Sequence, residues 1–543
     1  MSTVAVAPAN VVPGRRRRGR PGVVGLVSAV LVVVPFLVAA VVALTTGHLV
    51  LGGDQALIGL DALDARHLEQ GVGPYSRMGW AHPGPAWTYL LAPVWWLLGS
   101  SSPALIAASL TVHALGAVLV VVAAGGERPW QRPLMAAVLL LYLVRMPAVV
   151  FVNIWNPFAL LLPALLLLLV AARACAGSPA ALATTALVGS YLVQTHVGTV
   201  PLVVLVGGAA VVAVGVRLVR RRRLAWGRAQ RGGTAAAAAG TLLIWVPPLW
   251  QQFAARPPEH GNLGLLATYF LHGSTLDEQH HSWSEAFSTV GQLLGAPVYG
   301  WVATPAPVVT TMLTAAVICA VVVLIGGGVA VAAWGLRSGD EFPAALGLMT
   351  SVAGVAGLIA ARTVTGVMQN YLVLWLTVLP PALLFAGVSL VARRGRLAAW
   401  APRLAVAGLV AALVLCVGAS LSLRRSAETQ LPDQPGSAAA ATLALDALPA
   451  PQDDDPPVLL DITDVSVWST ATAVAVDLEQ HGYRVSVEPQ WVYSFGQDRA
   501  SRGDEEWRLV MAPAADGAAA GEGQLGVVAA INGPTAVSLI RMP

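Results

Sequence analysis

Between residues 51 and 85 the 543-residue chain gathers chemistry that is scarce elsewhere: Asp54, Asp61, Asp64, Arg66, His67, Glu69, Arg77 and His82. A carboxylate fixed beside a bilayer can take a proton from a hydroxyl, and arginines can grip a phosphate through paired hydrogen bonds. Asp54 also suits the N-cap of a helix over 55–70, a purely structural use of the same side chain. In that helix Leu57, Leu60, Leu63 and Leu68 make an apolar stripe. Asp61 and Asp64 then fall on the opposite, solvated side, as in a helix lying on a membrane surface. More polar residues punctuate the apolar segments downstream: Arg145, Asn153, Trp155, Asn156, Gln194, His196, Arg362, Gln369, Asn370 and Tyr371. Arg145 is expected about two turns inside a span. A charge there costs at least ~2.5 kcal/mol on insertion scales, so it either serves a site or snorkels to the headgroups.

The elements that must position these residues are membrane helices. Apolar residues make up 56% of the chain and charged residues 11%. Runs of about 20 apolar residues, each able to cross a hydrocarbon core of roughly 30 Å, mark a polytopic membrane protein. The pattern predicts spans near 22–44, 103–124, 133–152, 157–173, 180–197, 199–216, 234–250, 305–333, 343–361, 371–391 and 404–423. Residues 84–98, as a helix, reach only ~22 Å and are expected not to cross. Arginine parity supports this: eleven spans leave twenty arginines on the cytoplasmic side, including seven between 217 and 231. The outer loops then keep only Arg66, Arg77, Arg256 and Arg362, as the positive-inside rule requires. The N-terminal tail, 1–21, is thereby cytoplasmic and the C-terminus outside. The basic charge sits beside spans, which excludes nucleic acid as a partner. Gly347 and the run Gly326 to Gly328 are expected to let helices approach closely.

The second large loop, 251–304, holds His272, Asp277, Glu278, His280, His281 and Glu285. No metal-ligand spacing is present, so a divalent metal has no motif behind it and no cofactor is assigned. After the transmembrane core, 22–423, the stretch 424–456 reads as a linker with one short helix. Residues 457–543 read as a small α/β domain: a strand at Val458, a helix over 465–481, strands at Tyr483 and Trp507. From residue 430 onward there are 16 acidic residues against 5 arginines.

The arrangement resembles the GT-C superfamily of polyprenyl-phosphate-dependent glycosyltransferases, which includes protein O-mannosyltransferases, bacterial aminoarabinose transferases and actinobacterial wall arabinosyltransferases. The resemblance rests on Gly53-Asp54-Gln55 soon after the first span, and on two non-spanning helices in the first outer loop. It rests also on the turn His82-Pro83-Gly84-Pro85, the eleven-span core and the outer C-terminal domain. Where many relatives carry a second acid, this chain has Gln55, which leaves Asp54 as the matching position. The resemblance implies an inverting transferase in a bacterial plasma membrane, moving a sugar from a polyprenyl-phosphate donor to an extracytoplasmic glycan, glycolipid or protein. Asp54 would be the base. Arg145, Arg362 and His196 would hold the donor phosphate, with His82, Asn153, Asn156, Gln369 and Asn370 as further substrate contacts. Two other classes stay open: a transporter or flippase of lipid-linked glycans, and a non-catalytic scaffold for envelope assembly.

Overall fold

A computed structural model describes residues 22–46, 49–125, 128–220, 224–255, 261–272, 281–299, 314–394, 397, 399–431, 434–452, 455–514, 523–530 and 532–542. After α1 (Val23–Thr45) come two short helices, α2 (Asp54–Arg66) and α3 (Ala86–Leu97). Between them lies a small antiparallel hairpin, β1 (Tyr75–Ser76) with β2 (Trp80–Ala81). Then follow α4 (Ser102–Ala124), α5 (Gln131–Arg145), α6 (Val149–Val152), α7 (Leu161–Cys175), α8 (Pro179–Thr195), α9 (Val200–Val219) and α10 (Arg228–Ala254). The set is completed by α11 (Asn262–His272), α12 (Trp283–Tyr299), α13 (Ala315–Ser338), α14 (Glu341–Thr363), α15 (Leu379–Ala392) and α16 (Ala401–Thr429).

Among the described residues, nine helices are long and apolar enough to cross a membrane: α1, α4, α7, α9, α10, α13, α14, α15 and α16, counting the 3-10 turns that lead into α7, α9 and α15. The other two expected spans, 133–152 and 180–197, correspond to α5 and α8, helices of 15 and 17 residues. They pack inside the bundle, α5 against α16 and α8 against α10. The start of the span expected at 305–333 lies outside the described residues. A Cβ on Gly347 would come within 2.7 Å of the Gly328 carbonyl oxygen, so these glycines do allow α13 and α14 to touch.

The span expected at 133–152 is cut short. Helix α5 ends at Arg145, Met146 is extended, and the chain re-enters a helix only at Val149. Pro147 is the cause, because the ring of a proline forces the residue before it out of the helical region. Arg145 is therefore the exposed last residue of a helix, not a charge buried two turns inside one.

The C-terminal domain begins earlier than its composition suggests. Helix α17 (Pro435–Ala447) buries Ala440, Ala441 and Ala444 in the domain's own core. A five-stranded sheet follows in the order β4 (Val485–Val487), β3 (Val458–Ile462), β5 (Trp507–Pro513), β7 (Gly533–Arg541), β6 (Gln524–Ala530). Strand β3 pairs parallel with β4 and β5, while β7 pairs antiparallel with β5 and β6. All five residues of β3 are buried, four of them apolar as suits a strand between two neighbours, and the fifth, Asp461, is paired with Arg508 at 2.7 Å. Helix α18 (Trp468–Gln480) connects β3 to β4 and packs on α2.

Helix α2 is shared between the two bodies. Leu57 and Leu60 are buried in the core of the C-terminal domain, whereas Ile58, Ala62 and Ala65 are buried in the core of the bundle. Its apolar stripe is wider than a surface helix needs, because both sides meet protein. The expected solvated side is absent. Arg499 grips Asp64 with two hydrogen bonds, 2.8 and 2.9 Å, and turns its remaining edge to Glu479 at 2.7 Å. Only 7% of Arg499 is exposed. Burial and the neighbouring charge of Asp64 push the Asp61 carboxyl well above its usual range.

Candidate active site

Helix α2 starts at Asp54 because Gly53 stands at φ 60°, ψ −139°, a backbone conformation open only to glycine, and turns the chain into the helix there. An acid at the first helical position also suits the positive end of the helix dipole. The Asp54 side chain caps nothing. Its carboxylate instead faces two donors, the Tyr75 hydroxyl and the Trp155 indole N–H, and both act to lower its pKa. Burial raises its pKa from the model-compound value, and the two donors pull the other way without cancelling the rise. The Tyr75 phenol, buried beside that carboxylate, is pushed far up and stays a donor. A half-buried carboxylate with a raised pKa is a better proton acceptor than a free one, and two fixed donors hold it in one direction.

Asp54 opens into a cavity of about 370 Å³ lined also by Tyr75, Arg77, His82, Trp155, Asn156, His196, Tyr269 and Tyr371. The hairpin β1–β2 supplies Tyr75 and the cation Arg77, and the turn after it supplies His82. Arg77 is exposed and comes up against Gly366 in the turn after α14. It is the one arginine among the described lining residues. His82 and His196 lie with ring centroids 4.4 Å apart, both nearly buried. The Val197 N–H donates to His82 Nδ1 at 3.3 Å, and the Gly198 N–H donates to His196 Nδ1 at 3.1 Å. Each neutral ring therefore carries its proton on Nε2. Burial, then the neighbouring histidine, holds the His82 pKa well below the usual range, so it contributes an uncharged donor.

A second cavity, of about 1070 Å³, lies on the other side of Tyr371, which lines both. Its polar lining includes Arg145, Asn370, Arg424, Arg425 and Glu428. Tyr371 stands against Trp155, 4.5 Å between ring centroids, so the partition is aromatic and one of its rings faces Asp54.

No protein-family model and no curated protein matches the chain. Solved structures do. The crystal structure of ArnT from Cupriavidus metallidurans bound to undecaprenyl phosphate aligns with a TM-score of 0.56 over 96% of this chain and 98% of that one, at 14% identity. The apo state of the same protein gives a TM-score of 0.52 over 95% and 98%, again at 14% identity. The chain shares the fold of ArnT.

Within this fold the residues singled out in the sequence separate into groups. Asp54, His82, Asn156 and His196 share one cavity. Arg145 and Asn370 line the other, and the Arg145 Nε–H donates to the Pro297 carbonyl at 3.2 Å. Arg362, in the last turn of α14, lines neither, although its neighbours Thr363, Val364 and Thr365 line the Asp54 cavity. Gln369 also lines neither and precedes the turn that carries Tyr371. Asn153 acts one step back: its Oδ1 accepts from the Trp155 backbone N–H at 2.9 Å and fixes the residue whose indole faces Asp54.

In the second loop, Asp277, Glu278, His280 and the His272 side chain lie outside the described residues. The His281 Nε2 bonds to the Gly366 carbonyl at 2.8 Å, away from Asp54. No cluster of three His, Cys, Asp or Glu suited to a metal occurs among the described residues. Sequence reasoning passed over Tyr75 and Arg77 as site residues, although both lie in the loop it had singled out. A tyrosine and an arginine two apart at a hairpin were the available signal.

Proposed function

We propose that this chain is an inverting glycosyltransferase that uses a polyprenyl-phosphate sugar and acts at the outer face of a bacterial plasma membrane. The observation that carries the reading is the Asp54 carboxylate, flanked by Tyr75 and Trp155 in a cavity whose described lining includes one arginine, Arg77. The chain also has the fold of a protein crystallised with undecaprenyl phosphate. In the reaction an acceptor hydroxyl oxygen attacks the anomeric carbon as its bond to the phosphate oxygen breaks. Asp54 takes the hydroxyl proton, and the bonding electrons leave with the lipid phosphate. One displacement inverts the anomeric centre. The leaving group needs charge stabilisation and no proton. Arg77 supplies the charge, and the Nε2–H groups of His82 and His196 supply neutral donors.

Arg145 belongs in this scheme to the acceptor side, with Arg424 and Arg425, where it meets anionic groups on the acceptor glycan, glycolipid or protein. Arg362, Asn153 and Gln369 support the turns around the donor. The deciding experiment is sugar transfer by purified full-length protein from undecaprenyl phosphate carrying labelled mannose, arabinose or aminoarabinose. Asp54→Asn is expected to lower turnover by about 100-fold or more while undecaprenyl phosphate still binds. Wild-type turnover in Asp54→Asn overturns the reading.

A further inference from the structure

We infer that the C-terminal domain is a positioning part of the reaction centre, holding Asp54 and its donor Tyr75 in register; this rests on Asp54 being the base. The loop that delivers Asp54 is stitched to that domain at each step. The Gly53 N–H donates to Thr472 Oγ1 at 2.8 Å and lies 3.4 Å from the Ser469 carbonyl oxygen. Thr472 in turn donates its O–H to the same Ser469 carbonyl at 2.8 Å, so the hydroxyl has one orientation left. Upstream, the Gln434 N–H donates to the Val50 carbonyl at 3.0 Å, and Ser469 Oγ donates to Gln434 Oε1 at 3.0 Å.

The same domain holds the second half of the pair. The Tyr75 ring packs on Trp468 and Tyr493, with centroids 5.8 and 6.3 Å away. Arg499 ties down the far end of α2 through Asp64. Thus the backbone before Asp54, the Tyr75 ring beside Asp54 and the end of its helix all answer to residues more than 380 positions later in the chain. Gly53 gives this clasp its purpose. A glycine at φ 60° has many other conformations, so its torsions do not hold themselves. Bonds from outside the loop select the one that aims the carboxylate. A misplacement of about 1 Å at a reacting group costs on the order of 100-fold in rate, so a clasp of this kind acts on turnover.

Thr472→Val tests this with almost no change of volume. In matched amounts of folded full-length protein it is expected to lower kcat about 10-fold and to leave KM for the undecaprenyl-phosphate sugar unchanged. The acid limb of kcat is expected to move to higher pH, because a carboxylate drawn away from its two donors protonates more readily. Thr472→Ser restores the hydroxyl and is expected to restore both kcat and the pH profile. Trp468→Leu, which loosens Tyr75 from the other side, is expected to give the same pH shift. Tyr483→Phe, whose hydroxyl bonds to the Pro449 carbonyl elsewhere in the domain, is expected to keep wild-type kcat. Wild-type kcat and pH profile in both Thr472→Val and Trp468→Leu, with Asp54→Asn inactive, overturn the positioning role alone. Full activity in Asp54→Asn overturns this inference together with the assignment of the base.

Discussion

The two cavities on either side of Tyr371 differ in kind. The smaller one is walled by rings and holds one carboxylate, two neutral histidines and a single arginine. The larger one gathers three arginines and a glutamate, and its cations come from the ends of α5 and α16. A predominantly cationic cavity attracts anions at long range, even with Arg424 paired to Glu428. A carboxylate with two fixed donors among aromatic rings is aimed. On the proposed function, the contrast separates reaction chemistry, assigned to the small cavity, from acceptor recognition, assigned to the large one.

The sharpest way to break that contrast is to remove one arginine from each side. Arg77→Ala is expected to weaken undecaprenyl phosphate binding by roughly 10–100-fold, the range for losing charged hydrogen bonds worth about 1.5–3 kcal/mol. Arg77→Lys restores part of it, because an ammonium keeps the charge and loses the planar fork. Arg145→Ala is expected to leave that binding unchanged and to raise KM for the acceptor. Equal losses of lipid binding in Arg77→Ala and Arg145→Ala would merge the two cavities into one functional unit.

A smaller effect is expected at the partition. Tyr75→Phe removes one of the two hydrogen bonds that lower the Asp54 pKa, and burial continues to raise it. The pKa therefore rises further, and the acid limb of kcat moves to higher pH, with about a 10-fold loss at the optimum. A limb that moves to lower pH in this variant rules out Asp54 as the group that titrates.

The smallest effects on turnover are expected below the cavity, in α2, where two acids of one type have opposite roles. Asp64→Asn leaves Arg499 with Glu479 alone and is expected to cost roughly 2–3 kcal/mol of stability, read as a lower thermal midpoint. Asp61 works the other way. Its folded pKa lies well above the unfolded 3.8, so its contribution favours folding at low pH and is lost as pH rises through the folded value. Asp61→Asn is expected to keep or slightly raise the thermal midpoint at neutral pH and to flatten its decline above pH 4. A drop in Asp61→Asn equal to that in Asp64→Asn would show that the carboxylate is paired rather than merely tolerated.

The sequence determined the membrane character, the non-spanning status of α2 and α3, the C-terminal sheet domain and the loop that carries Asp54. These follow from hydropathy, helix length and strand alternation, which are properties of neighbouring residues. The early end of α5 was also legible, since Pro147 stands in plain view at the end of an apolar run. Tertiary structure alone decided who meets Asp54 and the residue before it. Tyr75 reaches Asp54 from a hairpin and Trp155 from a turn between α6 and α7, while Thr472, from a domain at the other end of the chain, takes the Gly53 N–H. It also decided that Asp64 of α2 meets Arg499, and that Arg145 and Asp54 open into different cavities. Spacing along the chain records which side of a helix a residue takes. It holds no record of which distant element will be packed against that side, because that choice is made by the summed burial of the whole fold.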